Sequence, residues 1–138
     1  TISATGELDR FVFTLATPTA VAFDTRQDTA IQWTLAGPRG TVVSNRSLQA
    51  SDANDGYPLL SLVPGTYQLT LGGATGNYAF VLHDLATAAS LTPGTPFTGT
   101  LSPGNETDLW RFSAQAGDRF YFDVSTPNAG NGYWRLID

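Results

Sequence analysis

Apolar residues along this chain tend to fall at every second position over short runs, and Gly or Pro interrupts the runs about every ten residues. Phe11–Leu15 (FVFTL), Ala20–Thr25 (AVAFDT) and Ala30–Leu35 (AIQWTL) are rich in β-branched and aromatic side chains, which suit a pleated, half-buried strand. Thr41–Val43 (TVV) follows the turn Gly37–Gly40 (GPRG), and Leu59–Val63 (LLSLV) stops at Pro64-Gly65. Thr66–Leu71 (TYQLTL) then leads through Gly72–Gly76 (GGATG) to Asn77–Leu82 (NYAFVL). No stretch sustains a helical period. The pattern predicts an all-β protein, an antiparallel β-sandwich. Ser44–Tyr57 keeps no rhythm and is expected to be a long surface loop, with a short strand near Ser47–Gln49. Asp84–Pro96 is small, polar and Pro/Gly-bearing, as a linker is.

After that linker the strand rhythm begins again, in Phe97–Leu101 (FTGTL), Asp108–Ala114 (DLWRFSA), Asp118–Ser125 (DRFYFDVS) and Gly132–Asp138 (GYWRLID). The restart is also a repetition of wording. Glu7–Phe13 reads ELDRFVF and Glu106–Phe112 reads ETDLWRF, one template of Glu, Asp, aromatic and Phe at alternate positions. With the same shift, Ser3 falls on Ser102, Phe23 on Phe122 and Asp24 on Asp123. After a two-residue insertion, Trp33 and Leu35 fall on Trp134 and Leu136. Polar, acidic and aromatic matches in one order mark an internal repeat. The expected organisation is a sandwich unit over 1–86 whose first strand is largely missing, a linker over 87–96, and the front part of a second unit over 97–138. An incomplete sandwich bares an apolar face and a strand edge. Residues 97–138 are therefore expected to pack against the first unit or against a neighbouring chain.

Charge narrows the function. Charged residues make up 14% of the chain, the net charge is −5, and all seven basic residues are Arg. So sparse a positive charge builds no basic stripe, which argues against a nucleic-acid partner. No apolar run is long enough for a membrane-spanning helix. Cys and Met are absent, Lys is missing, and Thr, Gly and Asp are abundant. These features are read as a secreted or cell-surface protein, and the missing Met as an internal piece of a longer chain.

Gly99–Val124 (GTLSPGNETDLWRFSAQAGDRFYFDV) resembles the opening of the bacterial pre-peptidase C-terminal (PPC) domain type, in which an Asp precedes an aromatic strand and an Ala-Gly turn leads to the next. Val63–Leu71 (VPGTYQLTL) with Gly76–Leu82 (GNYAFVL) resembles that family's closing hairpin. Arrays with this wording resemble those in very large secreted adhesins and exoproteins. The first copy departs from the pattern, with ATPTAVAFDT (Ala16–Thr25) in place of the Ala-Gly turn, and the acidic, Asn-rich calcium-binding lead-in of some relatives is not apparent. The resemblance implies a jelly-roll-like sandwich of about 100 residues per unit and a non-catalytic appendage. Its roles would be spacing, processing, or binding of extracellular glycan or protein, with neighbouring repeats as partners.

Several side chains could carry chemistry. Asp9 and Asp108, with Glu7 and Glu106 beside them, either cap turns through their carboxylates or supply hard oxygens to calcium. Two carboxylates per copy fall short of the six to eight oxygens that calcium takes. Asp24 and Asp123 divide the same way, leaning towards structure. Ser51–Tyr57 (SDANDGY) holds Asp55 and Tyr57, an acidic loop with the best-placed aromatic for an exposed ligand contact, but its spacing fails the EF-hand pattern. His83 is the single histidine, so no zinc set can form around it, and it is expected to be a half-exposed packing residue near a strand end. Trp33, Trp110 and Trp134, with Tyr57, Tyr121 and Tyr133, form either core or a sugar-stacking platform. Tyr67 is expected at a corner, its hydroxyl bonded to nearby backbone. The motifs assemble no acid, base and nucleophile, so the expected role is structural, with glycan or protein binding, or calcium stiffening, as alternatives.

Overall fold

A computed structural model describes residues 1–51, 59–124 and 133–137. Among the described residues there are nine strands: β1 (Asp9–Leu15), β2 (Thr19–Thr25), β3 (Gln32–Gly37), β4 (Gly40–Ser47), β5 (Leu59–Leu62), β6 (Gly65–Gly72), β7 (Phe80–Asp84), β8 (Ala89–Ser90) and β9 (Trp110–Arg111). The first seven form two antiparallel sheets, ordered β1-β6-β3-β4 and β5-β2-β7. The sheets pack face to face as a β-sandwich, with apolar side chains of both filling the space between them. In β6, Tyr67, Leu69 and Leu71 are buried while Thr66 and Gln68 are exposed.

The core joins Phe23 of β2 to Trp33 of β3, whose rings stack at 4.1 Å between centroids, and Phe23 to Phe80 of β7 at 5.2 Å. Val21, Leu35, Leu60, Leu62, Leu69 and Leu71 fill the space around them. Trp33 keeps its indole N–H satisfied inside, donating to Ser51 Oγ at 2.7 Å, while Ser51 Oγ donates to Ser47 O. A buried indole without a partner would cost about 1–3 kcal/mol. Tyr67 takes the corner position expected of it, its hydroxyl donating to Val63 O at 2.8 Å.

Three expectations change. The long loop from Ser44 is in part β4, which runs on to Ser47 and gives way to a 3-10 turn at Leu48–Ala50 rather than a short strand. Asn45 breaks the alternation there with φ +43, at a register shift in the β3–β4 ladder. Thr34 Oγ1 accepts from the Asn45 N–H and donates to Asn45 Oδ1, so the bulge is satisfied. Second, β6 and β7 do not form a hairpin: they lie in opposite sheets, joined by an arch across the end of the sandwich. Third, the linker contributes β8, which pairs in parallel with β9.

The later copy differs most. Of Phe97–Leu101, Asp108–Ala114, Asp118–Val124 and Tyr133–Ile137, only Trp110–Arg111 pairs as a strand among the described residues. Apolar alternation gives a segment two faces but no hydrogen-bonding partner. Among the described residues, the strands that flank β1, β2 and β3 in the first copy have no counterpart beside these segments.

Candidate functional site

Ile2 exchanges two backbone hydrogen bonds with Gly76, which pins the start of the chain to the arch between β6 and β7. The chain then turns, and Glu7 closes the turn from inside. Its Oε2 accepts from the N–H groups of Ser3 at 2.6 Å and Ala4 at 2.9 Å, while its own N–H donates to Ala4 O. Ninety-nine residues later the same turn is built again. Glu106 Oε2 accepts from Ser102 N–H at 2.9 Å, and Glu106 N–H donates to Pro103 O at 2.9 Å. The shared sequence template therefore corresponds to a shared hydrogen-bonded object. Aromatic packing follows the same correspondence: Phe122 stacks on Trp134 at 4.9 Å, as Phe23 does on Trp33.

The four carboxylates proposed as turn caps or calcium ligands take distinct roles. The two Glu side chains hold the turns just described. Asp9, the first residue of β1, accepts from the Tyr78 hydroxyl. The Tyr78 hydroxyl is pushed up to about 12, by burial first and then by the hydrogen bond to Asp9 and the charges of Asp9 and Glu7. Asp108 lies against Gly99, its Oδ2 3.7 Å from where a β-carbon would stand. Among the described residues no three His, Cys, Asp or Glu side chains converge in a group that could hold a metal ion. Asp55 and Tyr57 lie outside the described residues.

Glu106 has a second partner that Glu7 lacks. Its Oε1 accepts from Arg26, eighty residues earlier and just past the end of β2. Asn105 strengthens this junction by donating from Nδ2 to Thr25 O at 3.2 Å. Arg26 Nε also stands 3.5 Å from Asp24 Oδ2, and His83 Nε2 of β7 lies 3.4 Å from the same oxygen. Asp24 is 1% exposed, so it is a buried carboxylate flanked by one cation and one imidazole. The Ser102 N–H holds the Glu106 carboxyl below its ordinary value; partial burial opposes this, and the Arg26 charge and hydrogen bond reinforce it.

This network joins the two copies, and sequence reasoning missed it. Arg26 and Glu106 are too far apart in the chain for spacing to reveal them. The available signal was that Asp24 sits within an apolar strand, which calls for a compensating partner once buried. His83 is partly exposed, as expected, but its ring faces a carboxylate rather than serving only as packing.

The later copy packs on the first through this network and around an apolar groove of about 350 Å3, while the Leu91 N–H, donating to Arg111 O, ties it to the linker. Ala22, Phe23 and Leu59 contribute one wall, and Phe97, Trp110 and Trp134 the other. Contact with the first unit, one of the two outcomes expected for 97–138, is present. It covers the later copy only in part, and Tyr121, Tyr133 and Trp134 remain exposed. Among the described residues no helix is long and apolar enough to cross a membrane. No protein-family model, curated protein or solved structure matches the chain.

Proposed function

We propose that this chain is a non-catalytic structural module, a β-sandwich repeat and part of the next, from a large secreted bacterial protein with PPC-type repeats. Its work is to extend a chain and present neighbouring domains, with adjacent repeats as its partners. The observation that carries this reading is the use of the duplicated acidic residues. Glu7 and Glu106 each close the same turn, and Glu106 in addition ties the second copy to Arg26 of the first. Carboxylates committed to backbone N–H groups and to an inter-copy ion pair serve rigidity and spacing. Buried Asp24, with the partly exposed His83 and the Arg26 cation beside it, fits the same purpose.

A second reading has its own observation. Exposed Tyr121, Tyr133 and Trp134, with a groove close by, could offer stacking faces to a glycan or an extracellular protein segment. Two measurements separate these readings. Tryptophan emission across a panel of polysaccharides and collagen should stay unchanged for a spacer and quench saturably for a binder. The melting temperature should be the same in calcium and in chelator; a rise with calcium would replace the plain spacer by a calcium-stiffened one.

A further inference from the structure

The first copy shows what the second one leaves uncovered. Phe23, Trp33 and Leu35 are 2%, 1% and 1% exposed, whereas their counterparts Phe122, Trp134 and Leu136 are 37%, 62% and 57% exposed. The side chains correspond and the Phe–Trp stack is retained, so the contrast comes from the neighbouring strands. In the first copy β6 lies between β1 and β3, with Leu71 opposite Trp33, Leu69 opposite Leu35 and Tyr67 opposite Phe13. β7 lies beside β2, with Leu82 opposite Phe23. One arch, β6 to β7, thus covers the equivalent residues on both sheets.

We infer that the apolar face of residues 97–124 and 133–137 is a docking surface for an arch of the β6–β7 kind, supplied by polypeptide outside this chain. The occupant would present alternating apolar side chains to Phe112, Phe122, Trp134 and Leu136 in the register that Tyr67, Leu69, Leu71 and Leu82 keep in the first copy. Strand addition of this sort draws affinity from main-chain hydrogen bonds and specificity from alternate side chains. The inference rests on reading the chain as a tandem repeat. A second copy of this chain is a poor donor. Its β6 is already paired along both edges, with seven residues of β1 and five of β3, and would have to leave its own sandwich.

A synthetic peptide with the chain's own residues 63–84 tests this when added to the intact 138-residue protein. Saturable binding, a blue shift of tryptophan emission and slowed amide exchange within 97–124 and 133–137 are expected. The double variant Phe122→Ser/Trp134→Ser should weaken binding at least about tenfold (1.4 kcal/mol). Both substituted side chains are partly exposed, so the first sandwich should keep its buried Trp33 emission and report intact folding. A peptide carrying Leu69→Asp and Leu71→Asp should not bind. Absence of binding overturns the inference, and so does binding that the double variant leaves unchanged, which would mean exchange into the first sandwich. Self-association of the protein abolished by the double variant would make a second copy the occupant and overturn it as well. A glycan or calcium response strikes the spacer reading while peptide binding stands; a silent ligand panel with no peptide binding removes the docking surface alone.

Discussion

Gly37 ends β3 where the ring of Tyr67 lies across it. A β-carbon there would stand 2.3 Å from Tyr67 Cε1, so Gly37→Ala must push the ring aside and disturb its hydroxyl bond to Val63 O. Overpacking of this kind costs about 1–3 kcal/mol, and chemical denaturation should show the loss, whereas Tyr67→Phe should cost about 1 kcal/mol through the hydrogen bond alone. Tyr78 gives a spectroscopic check. Its folded-state value is raised from 10.0 to about 12, so the stability it contributes is complete below 10 and is lost as pH rises through about 12. Phenolate absorbance should show Tyr78 titrating late, and Asp9→Asn should lower its value only part of the way, because burial, the larger cause, remains. The corner role of Tyr67 was readable from its place after Pro-Gly-Thr at a strand start. The Tyr78–Asp9 contact was not, because it joins residues 69 positions apart whose sequence surroundings say nothing of each other.

The duplicated turn behaves as a unit with two different duties. In the first copy Glu7 holds only its local turn, so Glu7→Ala should loosen the chain start around Ile2 and leave 97–137 in place. In the second copy Glu106→Ala removes both the turn closure and the Arg26 contact, so amide exchange should rise throughout 97–124 while β1 to β7 remain protected. The lowered Glu106 value sets the direction of its pH dependence. Its contribution is present above the ordinary carboxylate value of 4.5 and is lost as pH falls through the lower folded-state value. Acidification should therefore release the second copy from the first before the sandwich melts, and Glu106→Gln should remove that early step. The turn itself was legible as a repeated template. Its junction duty was hidden, since Glu7 and Glu106 share a motif while only the tertiary arrangement places one of them beside Arg26.

Across the full chain, stability is uneven. Residues 1–86 hold two antiparallel sheets closed over a common core, whereas among the described residues of 97–137 the one paired strand is β9, two residues long, whose partner β8 belongs to the linker. Limited proteolysis should cut first within 97–137 and leave a resistant fragment ending near the 3-10 turn at Leu85–Thr87; equal cleavage rates in both parts would count against this. The sequence by itself determined the β class, most strands of the first unit, and the recurrence of an acidic turn with its Phe–Trp pair, because alternation and turn residues act over a few neighbouring positions. Only the tertiary structure decided which sheet each strand joins, that β4 continues past a bulge, that β6 and β7 form an arch, and that identical core residues are buried once and exposed once. Those outcomes depend on which distant backbone supplies hydrogen bonds and which distant side chains exclude water, and a local pattern encodes neither.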